Sequence, residues 1–212
     1  MEITSIERDR KKKDRLSVYI DGKFSFTISE EDYISLNLYE KTEISQETID
    51  YIKNKLNFNK AKSIAVRYLS MKLRTEKEVR MRLQDEGFER ECIDAVIDEL
   101  KALGYINPRL YAQKYVFDRS KLKPMSKRLM KLELLHREIP EDIIDEVLED
   151  WNVEDHVVAE NLLKRKFGKY DLTYEKIKRK AYMFLLHRGF SNDTVRKALK
   201  EFCGQADLKD TV

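Results

Sequence analysis

Apolar residues in this chain recur every 51 positions (139 − 88 and 190 − 139), so Phe88, Ile139 and Phe190 hold one place in three successive copies. The same step carries Leu83 to Leu134 and Leu185, Ile93 to Ile144 and Val195, Ile97 to Leu148 and Leu199, and Leu100 to Trp151 and Phe202. Apolar character is kept while polar identity drifts. A unit of this length cannot bury its apolar stripe alone, so copies must pack on one another. The period predicts a mainly α protein of three tandem three-helix repeats in an elongated, curved array.

Each copy carries its own boundaries. In the first, Ala61, Ile64, Ala65, Tyr68 and Leu69 form one helical stripe, and Thr75 with Glu78 is a capping box opening a second helix that Gly87 closes. Ile93, Val96, Ile97 and Leu100 then fall at i, i+3, i+4 and i+7 of a third helix, which Gly104 ends. Tyr111, Ala112, Tyr115 and Val116 restate the first helix, and Val158, Ala159, Leu162 and Leu163 restate it again, four residues early, before a longer connection around Gly168 to Thr173.

Ahead of the repeats, Leu16, Val18 and Ile20 alternate, Asp21-Gly22 follows, and Phe24, Phe26 and Ile28 alternate again, which predicts a type I′ hairpin. Ile3 to Glu7 adds a third antiparallel strand across the basic loop Arg8 to Lys13, and Ser29 and Ser45 each cap a connecting helix. In the second of these helices Ile49, Ile52 and Leu56 face one way. The expected organisation is a small sheet with short helices over 1–57, repeats over 58–106, 107–152 and 153–204, and a frayed tail over 205–212.

Composition agrees: 38% of the 212 residues are charged, with only 6 Gly and 3 Pro, which suits exposed helices better than a sandwich or barrel. Apolar stretches fall short of a membrane span and the first thirty residues do not read as a leader, so a cytoplasmic protein without membrane contact is expected. Cys92 and Cys203 lie on separate predicted helices, without the spacing of a disulfide framework or a zinc site.

The formal charge of +3 conceals a strong pattern. From Lys60 to Arg82, eight bases face only Glu76 and Glu78, whereas Leu83 to Leu100 holds seven acids and Arg90 alone; copy two repeats the reversal, with nine acids and no Lys or Arg from Glu138 to Asp155. Copy three keeps its basic half but ends in a nearly neutral helix. Stacking would align the basic helices into one strip suited to a polyanion, with an acidic strip, including Glu141, Asp145, Glu146 and Glu149, left for a protein partner. The candidate binding residues are Lys121, Lys123, Lys127, Arg128 and Lys131 in the centre, flanked by Lys72, Arg74, Arg80, Lys178 and Arg179.

Catalytic chemistry is not indicated. His136 and His187 share a register position with Asp85, His156 sits in an acidic turn, and neither a phosphate loop nor a nucleophile set accompanies them, so no enzymatic activity, cofactor or metal is expected. Trp151 stands where Leu100 and Phe202 stand, which makes it a core residue.

The segment LRTEKEVRMRLQDEGFERECIDAVIDELKALGYIN, followed by LYAQKYVFDR and KLKPMSKRLMKLELLHREIPEDIIDEVL, resembles the RecX family of bacterial RecA regulators over about residues 59 to 203. Two turns depart from that family's pattern, with Pro108 in place of Asp and Glu138 in place of Gly. The resemblance implies a non-enzymatic monomer that lodges in the groove of RecA–DNA filaments and inhibits recombinase ATPase and strand exchange, within DNA repair, recombination and the SOS response. Weak, sequence-independent contact with single- and double-stranded DNA would accompany it. A rival reading is a stand-alone nucleic-acid-binding regulator of helix-turn-helix type, since short trihelical units can enter a major groove. A structural scaffold ranks last.

Overall fold

The computed structural model describes residues 1–8 and 14–207. Strands β1 (Ile3–Arg8), β2 (Arg15–Ile20) and β3 (Lys23–Ser29) form an antiparallel sheet in the order β1-β2-β3. Asp21 and Gly22 adopt φ of +48° and +76° between β2 and β3, as the primed turn requires. Most of the predicted loop between β1 and β2, residues 9–13, lies outside the described residues.

One sheet expectation fails. Phe24 does not share the inner face with Phe26 and Ile28; it is exposed, and its ring meets Tyr19 edge-on at 5.8 Å. The register slips between Val18↔Phe26 and Tyr19↔Phe24, so an extra residue on β3 inverts the alternation beyond it.

Helix α1 (Glu30–Ser35) starts at Ser29, whose hydroxyl accepts from the Asp32 N–H at 3.2 Å. Helix α2 (Gln46–Tyr51) starts at Ser45, which caps Thr48 in the same way. This connecting helix continues into the first repeat: α2 runs through a π-helical segment, Ile52–Asn57, into α3 (Phe58–Met71). The wider turn has a local purpose. It brings buried Asn57 to β3, where its Nδ2 donates to the Thr27 carbonyl at 2.7 Å.

Thr27 is pinned at every polar group. Its N–H donates to Glu89 Oε1 at 2.8 Å, its hydroxyl donates to the Gly87 carbonyl at 3.2 Å, and Arg15 donates to that hydroxyl at 3.0 Å. Arg15, itself buried, lies 4.2 Å over the Phe88 ring. The outer edge of β3 is thereby closed by side chains of the first repeat, which removes an open strand edge.

The repeats follow as α3, α4 (Glu76–Asp85) and α5 (Arg90–Ala102); α6 (Pro108–Leu122), α7 (Lys127–His136) and α8 (Glu141–Asp150); and α9 (Asp155–Phe167), α10 (Glu175–His187) and α11 (Asn192–Asp207). In each, the first helix packs on the third and the second helix joins them. The recurrent apolar positions are the core: Leu83, Leu134, Leu185, Ile93, Ile144 and Val195 are all fully buried. Trp151 is half-buried and packs against the cores of the second and third repeats. The capping box at Thr75 and Glu78 is present in both directions, at 3.2 and 3.0 Å. Helix α11 runs on to Asp207, three residues into the expected tail; the remainder, 208–212, lies outside the described residues.

The chain divides into two compact units, Met1–Asn107 and Pro108–Val212. The first holds the sheet core and the first-repeat core. In the second, repeats two and three interlock: the Ser126 N–H donates to the Arg188 carbonyl at 3.0 Å, and Arg188 donates to the Pro124 carbonyl at 2.8 Å. No helix among the described residues is long and apolar enough to cross a membrane.

Candidate nucleic-acid interface

The basic and acidic helices of the first two repeats are not separate strips, because they pair with each other. Arg80 on α4 binds Asp94 on α5 and, at 3.2 Å, Glu76, which also holds Lys101 at 2.5 Å. The Asp94 hydrogen bond holds the Arg80 guanidinium above its ordinary pKa. One step along the repeat, Lys131 on α7 bonds Asp145 at 2.6 Å and Glu141 at 2.8 Å, and those partners raise its pKa. First helices add Lys62–Glu99 at 2.8 Å and Arg109 with Glu146. The acids expected to await a protein partner are therefore largely used internally; of the four, Glu141, Asp145 and Glu146 are paired, and Glu149 is exposed with no basic partner among the described residues.

The ten candidate cations divide accordingly. Arg74, Arg80 and Lys131 have carboxylate partners, with Arg74 bonded to Glu78 at 3.2 Å and stacked 4.0 Å over Tyr68. Lys127 is half-buried against Trp151, and its N–H donates to Asp155 at 3.0 Å. Lys178 leans on Glu175 at 3.5 Å. Lys121 lies 4.0 Å over the exposed Phe117 ring. Lys72, Lys123, Arg128 and Arg179 project into solvent with no acidic partner among the described residues.

In the third repeat the pairing logic is broken. Where the first two have Arg80–Asp94 and Lys131–Asp145, the third has Tyr182 and Arg196, and Tyr182 donates instead to Asn192 at 2.7 Å. A neutral hydrogen bond replaces the ion pair, and a cation replaces the acid. From Glu175 to Lys200 there are eight Lys and Arg against Glu175 and Asp193 alone. Lys176 and Lys180, which the sequence places only in the basic half of copy three, and Arg196 and Lys200 join Lys178 and Arg179 on two adjoining grooves of about 820 and 660 Å³ that share Arg179. The nearly neutral last helix of copy three was their signal, because a third helix with Arg196 where the other copies have Asp94 and Asp145 leaves the second helix's cations uncompensated.

The Phe184 ring in the larger groove lies 4.0 Å from the Lys166 ammonium and 5.3 Å from the Arg188 guanidinium. Cations occupy the ring, so the groove suits phosphate contact more than base stacking. Among the described residues no group of three His, Cys, Asp or Glu could hold a metal. The Cys92 thiol, pushed up to about 11 by burial, is not primed as a nucleophile.

A small sheet docked on tandem three-helix repeats, the third of which lacks the ion pair that the first two share, defines a helical-repeat protein. Family models place the chain more closely: residues 1–45 match the RecX regulatory protein N-terminal domain, residues 61–100 the first RecX three-helix domain and residues 154–199 the third. A regulatory protein RecX of Clostridium acetobutylicum is 33% identical over 94% of this chain and 95% of its own, and one of Finegoldia magna is 32% identical over 88% and 93%. A crystal structure of regulatory protein RecX aligns with a TM-score of 0.62 at 25% identity, covering 94% of this chain and 98% of that one. RecX from Lactobacillus salivarius aligns with a TM-score of 0.57 at 27% identity, over 69% and 96%. The chain belongs to the RecX family of regulatory proteins.

Proposed function

We propose that this chain is a cytoplasmic, monomeric regulator that binds RecA–DNA filaments and inhibits recombinase ATPase and strand exchange, without catalytic activity of its own. Family membership supports the RecA assignment. The observation that carries the DNA part is the uncompensated basic surface of α10 and α11. Cations already paired to acids gain little from phosphate, because binding must first break the internal pair; unpaired ones release counterions at no such cost. The contact set is thus Lys176, Arg179, Lys180, Arg196 and Lys200, joined by Lys72, Lys121, Lys123, Lys127 and Arg128, whereas Arg74, Arg80 and Lys131 serve their own repeats and Lys178 is held by Glu175.

Replacing Arg179, Lys180, Arg196 and Lys200 by Gln tests this. The wild type should bind unrelated DNA sequences alike, and the salt slope of its affinity should flatten by about 3 in the quadruple variant, since each phosphate contact contributes roughly 0.7 to 0.9. An unchanged slope would remove these residues from the interface. Preference for one defined sequence would favour the helix-turn-helix reading instead.

A further inference from the structure

Within the first unit, α2 and its π-helical continuation stand opposite the start of α5 across a cavity of about 570 Å³. One wall carries Asp50, Lys53 and the buried Asn57; the other carries Glu89, Glu91 and the half-buried Cys92. Phe58 and Ala95 add apolar surface between the charges. Other acids of the same repeat already hold a Lys or Arg: Glu76 holds Lys101, Asp94 holds Arg80 and Glu99 holds Lys62. Asp50, Glu89 and Glu91 have no basic partner among the described residues, although Lys53 lines the same space. Asp50 accepts from the Gln46 side-chain amide at 2.9 Å. Glu89 gives Oε1 to the Thr27 N–H, and its Oε2 accepts no hydrogen bond among the described residues. Burial holds the Glu89 pKa up, and the Thr27 N–H, Lys53 and Arg15 only partly oppose it. Its ionised form therefore lacks a counter-charge that an incoming cation would supply.

The three carboxylates do not converge on a point. Asp50 faces the other two across the cavity, and no group of three His, Cys, Asp or Glu among the described residues could hold a metal ion. A compact divalent cation would reach them one at a time. A flexible chain of ammonium groups separated by methylenes can reach both walls while laying its apolar links on Phe58 and Ala95, in the way amphipathic stems cover apolar surface. We propose that this cavity binds a linear aliphatic polyamine, with its ammonium groups on Asp50, Glu89 and Glu91. Lys53 opposes that ligand and limits its affinity. The site is independent of the functional reading above, since it shares no residue with the DNA contact set.

Calorimetric titration of the full chain with spermidine at fixed ionic strength tests this, and should show one saturable site. Asp50→Asn and Glu91→Gln, both at exposed positions, should each weaken it roughly threefold, and the half-buried Glu89→Gln roughly tenfold. Lys53→Gln should tighten binding roughly threefold, a gain that damage to the fold would not produce. Glu149→Gln, which removes an unpaired acid from the second unit, should leave the titration unchanged. Thermal unfolding accompanies each variant, and Asp50→Asn with Glu91→Gln decides the matter if Glu89→Gln unfolds. Absence of saturable binding by the wild type overturns the inference. So does a Lys53→Gln variant that binds no more tightly, a loss in Glu149→Gln equal to that in the cavity variants, or full displacement of spermidine by magnesium at matched ionic strength, since the amine would then be a diffuse counterion.

Discussion

Each second helix ends in a left-handed turn, at Gly87, Glu138 and Gly189, with φ of +78°, +59° and +83°. The family pattern's Gly is thus replaced at Glu138 without changing the backbone, because that side chain is exposed and only the left-handed strain is incurred. Gly189 has no such latitude. A Cβ there would lie 2.6 Å from Leu129 Cβ and 2.7 Å from the Ser126 hydroxyl that caps α7. Glu138→Gly should therefore stabilise the second unit by about 1 kcal/mol. By contrast, Gly189→Ala should destabilise it by about 2 to 4 kcal/mol, combining backbone strain with overpacking. Chemical denaturation of both variants measures this, and equal effects at the two turns would refute the distinction.

At the scale of elements, the docking of β3 against the first repeat includes one titratable acceptor, the Glu89 carboxylate. Burial pushes the Glu89 pKa up, only partly opposed by the Thr27 N–H it accepts. A carboxyl with a raised folded pKa contributes stability that is complete below its unfolded pKa and is lost as pH rises through the folded one. Glu89→Gln keeps an acceptor for Thr27 and has no charge to desolvate. The variant's stability relative to the wild type should therefore increase as pH climbs from the ordinary carboxylate range toward neutrality, then level off. A difference independent of pH, or one that shrinks, would contradict the assignment.

The same scale shows what the sequence could reveal. Caps, the Asp21-Gly22 hairpin and the periodic cores were legible because each follows from local chemistry or a fixed period. The bulge that turns Phe24 outward and the π segment that delivers Asn57 were not, since both answer to contacts between elements far apart in the chain. Charge pairing was hidden for a related reason: the reversal of sign along each copy suggested two strips, yet helices that pack together place Arg80 on Asp94 and Lys131 on Asp145. Reading the copies against each other at those positions, where the third has Tyr182 and Arg196, exposes the uncompensated repeat.

For the whole molecule, two compact units with separate cores predict that 1–107 and 108–212 each unfold cooperatively as isolated fragments. Affinity for DNA should reside mainly in the second fragment, which carries α10 and α11; stronger DNA binding by 1–107 would relocate the interface. The most direct trial of the account is DNA-dependent ATP hydrolysis by purified RecA, with this protein added below stoichiometry. Wild type should slow hydrolysis, and the Arg179, Lys180, Arg196 and Lys200 to Gln variant should inhibit far less at equal concentration while unfolding like the wild type. Full inhibition by that variant, or none by the wild type, would contradict it.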